Sequence, residues 1–459
     1  MNRIAKRSGA LTILVLLLIA GFAFFLAEYT MNAADWVMHP GSPHVYADAN
    51  LKTGAITDRE GVLLLNMQDD GWTYSSDEAI RSSTMHWVGD REGMIDALVM
   101  PAYYEEVLGY DFLNGLYSYG KDAGTGGVME LTLSADLQVV ALEALGDYKG
   151  TVAVYNYKTG QILCAVTTPT YDPDDVPDVA GDPVRYEGAY LNRFLQANYP
   201  PGSIFKIVTL AAALESMENA ESLTLTCEGR WGEGENAVTC EATHGEQSLK
   251  QAFANSCNCA FAELARQMGG KTLLSYVEKF RVTEPVSFDG ITTKQGNFDL
   301  DEYYITLGWS AIGQHTDLIN PATYMTFMGA IAGGGRAASP YIVESASVGE
   351  NGYQAQISYL DPVMSNETAA VIRQYMRYAV EYKYGADNFP GLTVCAKTGT
   401  AEKDGDRASN AMFAGFVTDE EYPLAFIICV EDGGYGASTC VPIASKVLTA
   451  CKEILDQAP

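Results

Sequence analysis

A serine and a lysine three residues apart, Ser203 and Lys206 in YPPGSIFKIVTLAAALESM, make a pair able to do chemistry without a histidine. Pro200, Pro201 and Gly202 form a rigid lead-in to a helix that is apolar almost all round, so the helix is expected to be buried. Residues at i and i+3 share a helical face, which sets the Lys206 ammonium beside the Ser203 hydroxyl. Burial and the positive end of the helix dipole both disfavour a charged lysine. A lysine made partly neutral can take the serine proton, the logic of a Ser-Lys nucleophile pair. The pair alone is a weak signal, because a buried serine beside a snorkelling lysine satisfies the same spacing.

Two further clusters lie downstream. In ANSCNCAFAELARQMGG, Ser256 and Asn258 stand two apart at the start of another helical segment. In VCAKTGTAE, Lys397, Thr398, Gly399 and Thr400 continue a strand. KTG also occurs earlier, at Lys158, Thr159 and Gly160, but there two β-rich runs flank it and the tripeptide reads as a hairpin turn. Competing chemistries find no support. The five histidines are scattered, there is no Gly-x-Ser-x-Gly elbow, and Gly333 to Gly335 lacks the lysine and strand-to-helix pattern of a phosphate loop.

The elements that must position these residues follow from periodicity. TVAVYNYKTGQILCAVTTP supplies two strands, and GLTVCAKTGTAE, NAMFAGFVT and PLAFIICVED supply three more at the far end, with a mainly helical region from about residue 194 to 382 between them. Strands at both ends with helices between predict one α+β domain whose terminal strands meet in an antiparallel sheet. Residues 28–130 are irregular, with short strand-like runs such as GAITDREGVLLLN and a Gly-rich stretch at 121–128, and read as a small β-rich pedestal. The acidic loop at 172–183 lacks the glycine and final glutamate of a calcium loop and reads as a solvated surface.

Arg3, Lys6 and Arg7 precede an apolar run at 9–27, long enough for a membrane-spanning anchor with the positive flank inside, and longer than the apolar region of a cleaved signal peptide. The net charge of −29 opposes binding to nucleic acid. With nine cysteines, at least one is unpaired in a monomer. Cys227 and Cys240 lie in a polar, Gly-rich segment that suits a local disulfide. A zinc site from Cys227, Cys240, His244 and Cys257 or Cys259 can also be drawn, but the spacing fits no ribbon or finger pattern, so no metal and no cofactor are expected. Cys257 and Cys259 are expected to pack near the cleft.

S-x-x-K, S-x-N and K-T-G in this order resemble the motif set of penicillin-binding proteins and serine β-lactamases. With GAITDREGVLLL, LTLSADLQ, KTGQILCAVTTPTYDP and SAIGQHTDLINPATYM, the chain is identified as resembling a class B penicillin-binding protein, a monofunctional peptidoglycan D,D-transpeptidase. The resemblance implies a penicillin-binding transpeptidase fold, similar to serine β-lactamases. It implies a cytoplasmic tail at 1–8, an anchor at 9–27, a pedestal at 28–130 and a transpeptidase domain at 131–459 outside the cytoplasm. It implies Ser203 as acylated nucleophile, Lys206 as its base, Ser256 as proton relay aided by Lys397, and Asn258 on the stem-peptide backbone. Thr398 and Thr400, with Gly399 between them, would bind the terminal carboxylate, and the backbone N–H groups of Ser203 and Thr400 would form the oxyanion hole. The middle motif carries Cys257 where the motif set has aspartate, a position the family leaves variable, so the resemblance demands only Ser256 and Asn258. Implied partners are D-Ala-D-Ala stem peptides, β-lactams and a SEDS-family membrane glycosyltransferase. The alternatives are a D,D-carboxypeptidase or β-lactamase, or a non-catalytic β-lactam sensor or scaffold. Removal of residues 28–130 is expected to leave β-lactam acylation detectable.

Overall fold

A computed structural model describes residues 2–37, 46–47, 50–51, 54–68, 71–108, 110–111, 115–116, 126–300, 303–348, 351–402 and 408–457. The Gly-rich stretch at 121–128 lies outside the described residues up to 125, as do residues 403–407 of the loop after the second KTG.

Helix α1 runs Asn2–Val37, and its segment Lys6–Ala33 is apolar and long enough to cross a membrane. It exceeds the apolar run at both ends because Lys6, Arg7 and residues 28–37, which mix polar and apolar side chains and contain no glycine or proline, are compatible with helix.

The larger part of the chain is built on a five-stranded antiparallel sheet. Its strands are β1 (Lys149–Asn156), β2 (Ile162–Thr168), β3 (Val394–Ala401), β4 (Asn410–Val417) and β5 (Leu424–Glu431), in the order β2-β1-β5-β4-β3. The terminal strands of the region do meet, as the α+β reading expects. Every residue of β4 is buried, so both faces are covered. The covering helices come in two packed pairs, Ala135–Leu145 with Gly436–Gln457, and Pro321–Ala332 with Asn366–Ala379. The β1–β2 connection holds the first KTG, where Asn156 Oδ1 accepts from the N–H groups of Lys158 and Thr159 in a side-chain-closed turn.

A second, six-stranded sheet joins Gly54–Thr57, Leu63–Gln68, Gly71–Tyr74 and Val128–Leu131 to the hairpin Val343–Val348 and Asn351–Gln354. The boundary drawn at residue 130 therefore falls inside a strand, and the pedestal's sheet takes strands from the far side of it. The physical reason is edge satisfaction: Val128–Leu131 pairs on one side with Gly54–Thr57 and on the other with Val343–Val348, leaving neither edge bare. Asp58 in GAITDREG ties the two parts together. Its Oδ1 accepts from Glu60 and Val62 N–H, and its Oδ2 accepts from Ala135 N–H at the start of helix Ala135–Leu145. The acidic loop supplies Asp172 and Asp174 as ion-pair partners for Arg81 and Arg91.

Candidate active site

Ser203 stands in a tight 3-10 turn, Gly202–Phe205, immediately before helix α2 (Lys206–Ser216). Gly202 has φ +53, and a Cβ there would lie 2.5 Å from the Thr400 carbonyl oxygen of β3. Only glycine lets the Ser203 turn and the KTG strand approach this closely. Gly399 serves the same contact from the strand side, since its Cβ would meet the Pro201 carbonyl oxygen at 2.8 Å. Tyr324 anchors the turn from below by donating its hydroxyl to Ile204 O at 2.7 Å.

Lys206 is fully buried and occupies the centre of the site. Its Nζ lies 2.9 Å from Ser203 Oγ and 3.1 Å from Ser256 Oγ, and it donates to two carbonyl oxygens, Ser256 O and Asn258 Oδ1, both at 2.6 Å. A neutral amine has two N–H donors and one lone pair, so these two acceptors use both donors and leave the lone pair for a hydroxyl proton. Burial, then the charge of Lys397, lowers the Lys206 pKa to about 7. Lys397, also fully buried, donates to Ser256 Oγ and Thr398 O at 3.0 Å, and burial lowers its pKa to about 7 as well. Ser256 thus has a lysine on each side.

Ser256 precedes helix α3 (Asn258–Met268), whose N-cap is Cys257. Its φ of +53 is unusual for a residue with a side chain and turns both its hydroxyl and its carbonyl toward Lys206. Asn258 donates its Nδ2 to Thr239 O at 2.8 Å. The amide therefore bridges Lys206 and the Thr239 backbone, contacts that its expected role at the stem-peptide backbone did not include.

Thr398 and Thr400 alternate with the buried Lys397 and Gly399 along β3 and are half exposed. With Ser203, Ser256 and Asn258, and with Trp309 and Tyr435, they line a cleft of about 710 Å³. Strand β3 is the edge of its sheet, so one row of its backbone groups faces the cleft side unpaired by any strand. All eight residues singled out from the sequence are brought together here. Reading the sequence missed Tyr384, whose hydroxyl accepts from Thr398 N and Thr398 Oγ1 at 3.3 and 3.1 Å. It sits in a single π-helical turn, Val380–Tyr384, for which no motif exists. Gly313 was missed too; its carbonyl accepts from Gly202 N at 2.8 Å.

All nine cysteines are free, Cys227 and Cys240 included, so the local disulfide that their segment would suit is not formed, and Cys257 and Cys259 are buried. The Cys227 thiol turns to Ala242 O, and Cys240 Sγ faces His244 Nδ1 and Cys257 Sγ instead of Cys227 alone.

The sequence profile described as the penicillin binding protein transpeptidase domain matches residues 150–449. The peptidoglycan D,D-transpeptidase PbpA of Mycolicibacterium smegmatis is 29% identical over 359 residues, covering 71% of this chain and 72% of the relative. The crystal structure of a D,D-transpeptidase domain of a peptidoglycan glycosyltransferase from Eggerthella lenta superposes with TM-score 0.73 at 26% identity, over 88% of this chain and 98% of that one. Penicillin-binding protein A from M. tuberculosis, as a ceftriaxone acyl-enzyme complex, superposes with TM-score 0.73 at 24% identity, over 87% and 98%, and shares the fold.

Proposed function

This chain belongs to the penicillin-binding protein transpeptidase family, and on that premise we propose how its cleft carries the reaction. It is a class B penicillin-binding protein, a serine-type peptidoglycan D,D-transpeptidase that cross-links stem peptides through an acyl-enzyme and is acylated by β-lactams. In the proposed sequence Ser203 Oγ attacks the penultimate D-Ala carbonyl while its proton passes to neutral Lys206. The C–N bond to the terminal D-Ala breaks, and Ser256 Oγ hands the proton on to the departing amine. An acceptor amine then attacks the ester, and the proton path runs in reverse to restore Ser203.

The single observation that supports this most is the position of Lys206 Nζ, within hydrogen-bond reach of both Ser203 Oγ and Ser256 Oγ. Lys397 supplies positive field at Ser256, and Asn258 holds Lys206 with its donors occupied. Thr398 and Thr400 bind the terminal carboxylate, and Gly399 gives the extended peptide room to add to the β3 edge. The N–H groups of Ser203 and Thr400 form the oxyanion hole, where each donor contributes about 10²–10³ in rate.

At larger scale the proposal divides the chain into a cytoplasmic tail at 1–8, an anchor at 9–27, a pedestal at 28–130 and a catalytic part at 131–459 outside the cytoplasm. Basic residues before the apolar run support that orientation. Residues 28–130 are too few for a glycosyltransferase, which points to a SEDS-family polymerase as partner.

The test is gel labelling of the full-length protein with fluorescent penicillin, wild type beside Ser203→Ala, followed over hours. Label that depends on Ser203 and persists is the expected result. Label lost within minutes would turn the reading to a hydrolase, and no label on folded protein would turn it to a scaffold.

A further inference from the structure

Beside the cleft, the thiols of Cys227, Cys240 and Cys257 and the His244 imidazole turn toward one point, with one ligand atom of each within 4.8 Å of all the others. We propose that these four side chains hold one zinc-class divalent ion, and that this ion braces the Ser256-Cys257-Asn258 segment of the active site.

The distances suit tetrahedral coordination. Metal–sulfur bonds of about 2.3 Å and metal–nitrogen bonds of about 2.0 Å at tetrahedral angles separate two sulfurs by about 3.8 Å and a sulfur from a nitrogen by about 3.5 Å. Cys240 Sγ lies 3.9 Å from Cys257 Sγ and 3.5 Å from His244 Nδ1. Three soft thiolates and an imidazole select zinc over the oxygen-seeking magnesium and calcium.

The backbone assembles the ligands independently of any ion. Strand Thr224–Cys227 pairs with Gly245–Ser248, and Cys227 stands opposite Gly245, which sets His244 beside it. Arg230–Trp231 pairs with Val238–Thr239, and Cys240 N–H donates to Gly229 O at 3.0 Å. Cys257 caps α3. Cys259, two residues after Cys257 on α3, is buried beside these ligands. Cys227 and Cys257 are fully buried, while Cys240 and His244 line the cleft and leave an entry path for the ion. The spacing Cys-x12-Cys-x3-His-x12-Cys matches no ribbon because two hairpins and a helix start, and no single knuckle, bring the ligands together.

The coupling to the active site is through neighbouring residues. Cys257 lies between Ser256 and Asn258, and Cys240 follows Thr239, whose carbonyl accepts from Asn258 Nδ2. An ion joining Cys240 to Cys257 therefore closes a ring around the Asn258 amide and holds Ser256 at its positive φ. Coordination releases the thiol protons to solvent and leaves three thiolates on a dication, a site of net charge −1. The bracing role rests on the assignment of Ser256 and Asn258 to the acylation machinery; the metal site does not.

The experiment uses full-length protein purified in detergent with its thiols reduced. Elemental analysis is expected to give one zinc per chain, and cobalt exchange to give a thiolate-to-cobalt charge-transfer band. His244→Ala and Cys227→Ser should each weaken cobalt binding at least tenfold, with circular dichroism as the check on folding. Chelation should lower the fluorescent-penicillin acylation rate at least tenfold, and zinc should restore it. Reduced wild-type protein that takes up neither zinc nor cobalt, or native protein with a Cys227–Cys240 disulfide on peptide mapping, overturns the site. Metal uptake with an acylation rate indifferent to chelation overturns the bracing role. Metal uptake by protein never labelled at Ser203 upholds the site and instead sinks the transpeptidase mechanism.

Discussion

Lys206 is a fully buried amine whose two N–H donors, in the neutral form, are taken by carbonyl oxygens and whose lone pair faces a hydroxyl. Its pKa near 7 means that the neutral, proton-accepting form grows as pH rises through that value. The rate of penicillin acylation should accordingly climb from about pH 6 to about pH 8, with an apparent midpoint that belongs to the Lys206 and Lys397 pair jointly. Lys206→Ala should lower the rate by about 10²–10⁴ and flatten the acid limb of the profile, measured by stopped-flow labelling. A variant that keeps the wild-type acid limb would remove Lys206 from the base role.

At the scale of elements, the site depends on one close approach, between the Gly202–Phe205 turn and strand β3. Gly202→Ala combines a left-handed backbone with a Cβ driven against Thr400 O, so the turn and the strand must part. Acylation should fall at least about 10²-fold, because misplacement by about 1 Å has that effect on a positioned nucleophile. Circular dichroism and the melting midpoint separate this from unfolding; acylation within threefold of wild type would show that the approach is dispensable. Tyr384 supports the same strand from the π-helical turn, since its hydroxyl accepts from both donors of Thr398.

Among the described residues the main core runs from Ile56 to Cys451, across the boundary at residue 130. Trp87, fully buried in helix Glu78–Val88, packs on Phe194 and donates to Ala165 O of β2 at 2.7 Å. Gln138 Nε2 returns the contact by donating to Ser83 O. Removing 28–130 therefore strips side chains from the catalytic sheet's own cover. We expect the 131–459 fragment to aggregate and not to label, whereas a chain lacking only 1–37 should label within about twofold of wild type, as α1 is almost wholly exposed. Trp87→Ala should cost about 3–5 kcal/mol in urea unfolding. A folded, labelling 131–459 fragment would restore the separable pedestal that the sequence suggests.

What the sequence determined by itself was local. Ser203 with Lys206, Ser256 with Asn258, and the β3 tetrapeptide are each set by spacing within one element, and the turn role of the first KTG follows from its flanking strands. The apolar run of α1 and the paired terminal strands are likewise periodic signals that short-range order makes visible. The tertiary structure alone decided what depends on contacts between distant segments. Lys206 meets Ser256 O and Asn258 Oδ1, Tyr384 meets Thr398, the pedestal sheet recruits residues 343–354, and three cysteines and a histidine converge. Spacing along the chain constrains none of these, because the geometry of each is fixed by how two hairpins, a helix start and a sheet edge pack around one core.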